Sequence, residues 1–263
     1  MGLNKMPSPF TDRFVKKEIR FMKLEGEGDE TVDGVRILRR PLRGRCDDYL
    51  NKAWRIGELN CPTFTIDGEV WMSLTPMEIE SNFLAWYGAQ GRIGTAGLGI
   101  GYVAMKCASL KEVDEVVVFE NNRRVVDFFL NKYSHRKELK KIKFVIGDVR
   151  KLMVDFEFER VYMDTYSELL MSSVIEDLKL FPERNKIQEY RFWGQELVYL
   201  AGMEKEVITV WDLPYLELEY FRKWMQTKKS AMSQFMPDDD YVFACLDLLG
   251  FADIPDYDLA AFG

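Results

Sequence analysis

From residue 92 onward, apolar runs and amphipathic stretches take turns along the chain. "RIGTA" reads as a short strand and "YVAMKCASL" as a helix. "VDEVVVFE" reads as a buried strand rich in valine, "NNRRVVDFFLNKY" as an amphipathic helix, and "KIKFVIGD" and "ERVYMDTY" as two more strands. The pattern then predicts helices through "LLMSSVIEDLKLF" and "ERNKIQEYRFWGQELVYLAG", a fifth strand at "EVITVWDL", and helices and turns with an acidic "PDDDY" loop over 214–263. Such alternation argues for an α/β fold with a parallel sheet covered on both faces.

The first 60 residues are charged and weakly periodic. "KKEIRFMKLEGEG" and "GVRILRRPL" fit either short strands or one strand and a helix. "CPTFTIDGEVWMSL", residues 61–74, is clearer: two β-prone runs flank Asp67-Gly68, which signals a hairpin. Thr75 can then cap a helix that has Pro76 in its first turn and Glu78 three residues beyond the cap. That helix, "PMEIESNFLAWYGA", is expected to end near Gly88.

Composition narrows the classes. The chain has 263 residues, 47% hydrophobic, enough for a substantial core, and no apolar run approaches the ~18 residues of a membrane span. The N-terminus lacks the apolar centre of a secretion signal. Four scattered cysteines without a C-x-x-C pair argue against a zinc site and fit free thiols in a reducing cytosol. The only histidine, His135, stands in a charged stretch and reads as a solvated surface residue. A net charge of −7 disfavours broad binding to duplex nucleic acid. "RILRRPLRGR", residues 36–45, is either a solvated strand edge or an anion site.

The candidate chemistry begins at "GTAGLGIGYVAM". Gly97, Gly99 and Gly101 lie between an expected strand and an expected helix, where bare backbone turns tightly and lets a ligand approach the helix N-terminus. Glu120 ends the next expected strand, placed to accept hydrogen bonds from two ribose hydroxyls. Asp148 ends the third strand and Asp164 the fourth. In an open parallel sheet all four positions fall at the carboxyl edge, where ligands bind. A nicotinamide reading takes Gly99, Gly101 and Ala104 as G-x-G-x-x-A. It accounts for Glu120, but not for Asp148, and supplies no hydride-transfer acid or base.

G-x-G-x-G, with acidic residues closing the second and third strands, resembles the class I S-adenosylmethionine-dependent methyltransferases over about residues 91–213. The resemblance implies a Rossmann-like sheet with S-adenosyl-L-methionine as cofactor. Gly97, Gly99 and Gly101 would lie under its ribose and amino-acid parts, and Glu120 would hold the ribose hydroxyls. Asp148 would meet the adenine amino group, with Val149 packed on the ring, and Asp164 would face the methionine end or the acceptor as the catalytic residue. Where the family usually has an acidic residue two positions before the first glycine, this chain has Thr95.

"FTIDGEVWMSLTPMEIES" and "TAGLGIGY" also resemble the hairpin, helix and glycine loop of the spermidine synthase group, whose D-x-x-D-P is reduced here to Asp164-Thr165-Tyr166. The organisation implied is a β-rich N-terminal region over 1–75, a cofactor-binding Rossmann-like domain over 76–230 and a helical extension over 231–263. The leading expectation is a cytoplasmic methyltransferase of a small-molecule acceptor, without membrane or metal partners and with a homodimer left open. Aminopropyl transfer with Asp164 as base and an inactive binding module of the same fold are the alternatives.

Overall fold

The computed structural model describes residues 12–24, 28–47, 53–166, 173, 176–177, 180 and 186–194. Helix α1 (Asp12–Phe21) comes first, so "KKEIRFMKLEGEG" and "GVRILRRPL" resolve as one helix and one strand. Four antiparallel strands follow in spatial order: β1 (Glu30–Val32), β2 (Val35–Asp47), β3 (Ala53–Ile66) and β4 (Glu69–Ser73). Asp67 and Gly68, which join β3 to β4, both have positive φ (52° and 92°). The turn is thus of the mirror-image kind whose twist matches that of the flanking strands. Asp33 and Gly34 make the same kind of turn between β1 and β2, and the Asp67 N–H donates to the Gly34 carbonyl across the two tips, at 3.0 Å.

Helix α2 (Pro76–Ser81) starts as expected, with the Thr75 hydroxyl accepting the Glu78 N–H at 3.3 Å and Pro76 in the first turn. The single helix expected through residue 88 breaks at Asn82, and a short α3 (Phe83–Trp86) continues the path. The break has a cause in side-chain competition: Asn82 and Ser81 both donate to the Glu78 carbonyl, offering the backbone an alternative to the helical ladder.

Five parallel strands form the second sheet: β5 (Gly91–Ala96), β6 (Val113–Glu120), β7 (Ile142–Ile146), β8 (Glu157–Met163) and β9 (Lys186–Phe192). Between them run α4 (Tyr102–Ser109), α5 (Arg123–Tyr133) and α6 (Val149–Leu152). The spatial order β7-β6-β5-β8-β9 is a Rossmann-like arrangement that reverses direction between β5 and β8.

β9 corrects the sequence reading, which placed residues 186–192 in a helix. "KIQEYRF" instead pairs in parallel with β8, with Arg160↔Glu189, Val161↔Tyr190 and Met163↔Phe192 among the register partners. Tyr190 and Phe192 are buried strand residues, and the Arg160 guanidinium is held on Glu189 at 2.5 Å. Of the stretch 169–181, the described residues 173, 176, 177 and 180 are helical. The strand expected at "EVITVWDL", with Trp211 and Asp212 at its end, and everything expected over 214–263 lie outside the described residues. No helix among the described residues is long and apolar enough to cross a membrane.

The two sheets share one core. Val116, Val117, Val118 and Phe119 of β6 are buried at its centre. α1 is locked to α4 by a buried charge cluster: Glu18 Oε2 takes the Lys106 ammonium at 2.8 Å and the Tyr102 hydroxyl at 2.9 Å. The ammonium also lies 4.1 Å over the Trp86 ring. At the surface, Arg124 of α5 donates to both Asp67 carboxylate oxygens, at 2.9 and 2.7 Å, and so clamps the hairpin tip. Removing Glu18 would leave the Lys106 ammonium buried and unpaired. Glu18→Ala is therefore expected to cost about 3–5 kcal/mol, and Glu18→Gln, which keeps a carbonyl acceptor, distinctly less. Urea denaturation followed by circular dichroism measures both.

Candidate functional site

The loop between β5 and α4 holds the three glycines, all at positive φ: Gly97 at 87°, Gly99 at 51° and Gly101 at 82°. Gly101 is the left-handed cap residue of α4. Sequence reasoning gave the bare positions two reasons, a tight turn and the approach of a ligand, and the structure adds a third, close packing from within the protein. A Cβ on Gly97 would run into the Asp164 carbonyl oxygen, one on Gly99 into the Met72 sulfur, and one on Gly101 into the Phe129 ring. Packing and backbone conformation thus already require glycine at all three.

Most of the loop amides are held by the protein as well. The Gly97 N–H donates to the Phe119 carbonyl (2.9 Å), Leu98 N–H to Glu120 Oε2 (2.9 Å), Ile100 N–H to the Met72 thioether (3.3 Å) and Gly101 N–H to the Leu98 carbonyl (2.7 Å). Met72, from β4, is the N-terminal sheet's contribution to this loop.

The acidic positions fall where the topology puts them, in a row along the carboxyl edge. Glu120 ends β6 and uses both oxygens: Oε2 on Leu98 N–H and Oε1 on Asn122 N–H, at 2.7 Å. It is a strut between the glycine loop and the start of α5, and each oxygen keeps a second lone pair. Asp148, just past β7, caps α6 by accepting the Arg150 N–H at 3.0 Å, and the Lys151 ammonium stands 3.6 Å away. Val149 packs into the core. Arg150 then reaches both Asp177 oxygens at 2.7 Å, and Asp177 also accepts the Tyr166 hydroxyl at 2.9 Å, so the segment leaving β8 is tied to α6.

Asp164 follows β8 directly. Its N–H donates to the Ala96 carbonyl at 2.9 Å, which zips β8 to β5 one step beyond the ladder. The residue is half-buried, its carboxyl makes no hydrogen bond among the described residues, and burial pushes that carboxyl up to about 7.

Sequence reasoning missed its neighbour. Glu78, treated there as part of a helix cap, is only 7% exposed. Its Oε1 accepts from Asn82 Nδ2 at 3.1 Å, and Asn82 Oδ1 accepts the hydroxyl of Tyr162, two residues before Asp164, at 2.9 Å. Burial, and then the Asp164 charge, push Glu78 up to about 8, with the Asn82 hydrogen bond pulling the other way. The available signal was a glutamate on the buried stripe of a helix, with a hydrogen-bonding side chain four residues on.

Two candidates remain, and of the arginine-rich stretch the side chains of Arg43 and Arg45 lie outside the described residues. Arg39 of the arginine-rich stretch is committed to Glu30 and the Leu24 and Gly28 carbonyls, and Arg36 to the Thr31 hydroxyl. His135 is exposed, 2.9 Å from the Lys23 ammonium.

Two measurements follow from this geometry. Glu78 and Asp164 hold protons in the folded chain that ordinary carboxyls release near pH 4. The folded state therefore binds more protons between about pH 4 and pH 8, and stability falls as pH rises through that window. Glu30, Asp67, Glu115 and Glu138, held low, act oppositely, but only in more acid solution. Melting temperature should thus drop from pH 5.5 to 8.5, and Glu78→Gln and Asp164→Asn should each flatten the drop in a thermal-melt series. Separately, Gly99→Ala should cost about 1–3 kcal/mol through overpacking and positive φ. Pairing it with Met72→Ala should recover part of that cost, a coupling that a double-mutant cycle in urea reads directly.

No protein-family model matches the chain, and no curated protein does. Solved structures do match. An O-methyltransferase of tomaymycin synthesis from Streptomyces achromogenes, in complex with SAM, aligns over 58% of this chain and 68% of its own, at 14% identity and a TM-score of 0.37. A precorrin 8W decarboxylase from Methanobacterium thermoautotrophicum aligns over 43% and 59%, at 15% identity and a TM-score of 0.35. A methyltransferase from Streptomyces caelestis aligns over 34% and 37%, at 22% identity and a TM-score of 0.28. This chain spans less than two thirds of the last two.

Proposed function

We propose that the chain is an S-adenosylmethionine-dependent methyltransferase of a small-molecule acceptor, with the cofactor along the carboxyl edge of β5, β6 and β7 and the acceptor beside Asp164. The observation that carries this reading is Glu120. Its carboxylate is fixed against the glycine loop by the Leu98 and Asn122 amides, yet each oxygen retains an acceptor site for a ribose hydroxyl. The donor set fits the group. Asp148 also keeps acceptor capacity beyond its cap bond, at the strand end where an exocyclic amine would fall. When bound, the cofactor supplies a sulfonium methyl as the group transferred.

The chain's part is placement. The loop, tied to Phe119, Glu120 and Met72, is already in one arrangement, so little ordering is left for binding to impose. Asp164 is anchored through its own backbone to Ala96 at the carboxyl end of β8, a position from which its side chain could orient an acceptor or take a proton. Its carboxyl near 7 suits a group that must both hold and give up a proton around neutral pH.

Calorimetry of the full chain with S-adenosylhomocysteine tests the reading. Saturable binding is expected below about 1 mM. Glu120→Gln, which loses the charge and one acceptor oxygen, should weaken it about tenfold or more while circular dichroism stays unchanged. No saturable binding to the wild-type chain at millimolar ligand, or equal affinity in Glu120→Gln, overturns it.

A further inference from the structure

The N-terminal sheet turns one face toward the glycine loop, and its other face carries groups that the cofactor site does not use. A single extra residue sets up the difference. β3 and β4 register as Phe64↔Met72 and Thr65↔Val70, so Trp71 is a bulge residue with no partner of its own. Without it Val70 and Met72 would share a face. With it Met72 joins the row of Ile37 and Phe64 and reaches the loop, and Val70 joins the row of Thr31, Arg36 and Thr65 on the far face. Val70 is 68% exposed and Trp71 66%, which places the indole with Val70 rather than with half-buried Met72.

The far face also holds two exposed arginines. Arg36 spends one N–H on the Thr31 hydroxyl, at 3.2 Å. Arg40, in the row of Cys61, makes no ion pair among the described residues. Between these rows lies that of Leu38, Thr63 and Ser73, and neither of its hydroxyls is hydrogen-bonded among the described residues. No carboxylate registers in the three rows: Glu30 and Glu69 belong to those of the opposite face.

We propose that this face binds single-stranded RNA, with a base stacked on the Trp71 indole and phosphates on Arg36 and Arg40. An exposed indole offers its ring to any unpaired base, and guanidinium forks match phosphate oxygens. β2 lies about 10 Å from β4, and Arg40 about 13 Å along β2 from Arg36, so an extended backbone leaving the indole toward β2 passes both guanidiniums. The Thr63 and Ser73 hydroxyls on the way can pair with a 2′-hydroxyl, which DNA lacks. A duplex keeps its bases stacked inside and rewards a broader basic surface than a chain of net charge −7 presents. β4 is an edge strand, and its bulge obstructs the addition of a strand from a peptide or a second copy. Two copies meeting on this face would also bring like-charged arginines together. Met72 and Trp71 leave β4 on opposite sides, so RNA here leaves the cofactor site untouched.

Fluorescence anisotropy of the full chain with a fluorescein-labelled oligouridylate of about 12 nucleotides is the test. Saturable binding is expected with a Kd on the order of 10–100 µM at about 50 mM salt. With two phosphates engaged, log K should fall with log salt at a slope of about −1.4. Trp71→Ala should weaken binding about fivefold or more at unchanged slope, and Arg36→Ala should bring the slope to about −0.7. Both side chains are exposed, so circular dichroism should match the wild type for each variant. The oligouridylate–oligoadenylate duplex, the oligodeoxyuridylate and a polyglutamate of equal length should each bind at least about fivefold more weakly. The proposal is overturned if the wild-type chain shows no saturable binding by about 1 mM, if Trp71→Ala binds as tightly, or if any of those three competitors binds equally well. A dimer in sedimentation that Trp71→Ala dissolves would assign the face to a second copy and overturn it too.

Discussion

The junction between Ala96-Gly97 and Asp164 governs the arrangement of everything around it. β5 and β8 are neighbours in space but are separated by some 60 residues of chain, because the strand order reverses between them. At their carboxyl ends the Asp164 N–H reaches the Ala96 carbonyl, and the Asp164 carbonyl lies against the Gly97 α-carbon. No side chain can intervene at that distance, so residue 97 must be glycine for the two strands to close. The same closure fixes the Asp164 backbone against the glycine loop.

The N-terminal sheet is part of the site rather than an appendage. Among the contacts that attach the N-terminal region to the parallel sheet, three differ in kind. Glu18, Lys106 and Tyr102 form a buried charge cluster under α4, costly to break on either side. The Asp67–Arg124 pair clamps the hairpin tip at the surface, where screening makes it a matter of orientation more than of energy. Met72 lays a soft thioether on the Ile100 amide and over Gly99. Through Met72 and Glu78, the hairpin and the helix after it reach both the loop and Asp164.

Much of this was legible in the residues, and the boundary of legibility has physical causes. Strands β5 to β8 and helices α4 and α5 carry clean periods, because each has one or two buried faces and little else to do. The Asp67-Gly68 turn was visible because positive φ at two successive positions restricts the sequence. β9 was misread because its apolar residues fit a helical count, and its pairing with β8, distant in sequence, overrides that. The row Gly97–Gly101, Glu120, Asp148 and Asp164 was legible as an order along one edge. Its internal bonding was not: that Glu120 braces Leu98, or that Met72 fills the space at Gly99, depends on elements distant in sequence. Glu78 was the deepest miss. The capping pattern at Thr75 explained the residue locally and completely, while its actual environment is set by Asn82, Tyr162 and Asp164 across the fold.

That miss points to how this site is constructed. A glutamate on a buried helix face is expensive, and an apolar residue there would serve the core better. Among the described residues no ion pair reaches it. Asn82 gives it one hydrogen bond, and Asp164 adds a like charge. Elsewhere the chain solves the same problem with Lys106 on Glu18 or Arg150 on Asp177, so cations were within its repertoire. Glu78 is thus a buried carboxyl held among the described residues by an amide rather than by a cation, and it keeps its proton where those carboxylates give theirs up.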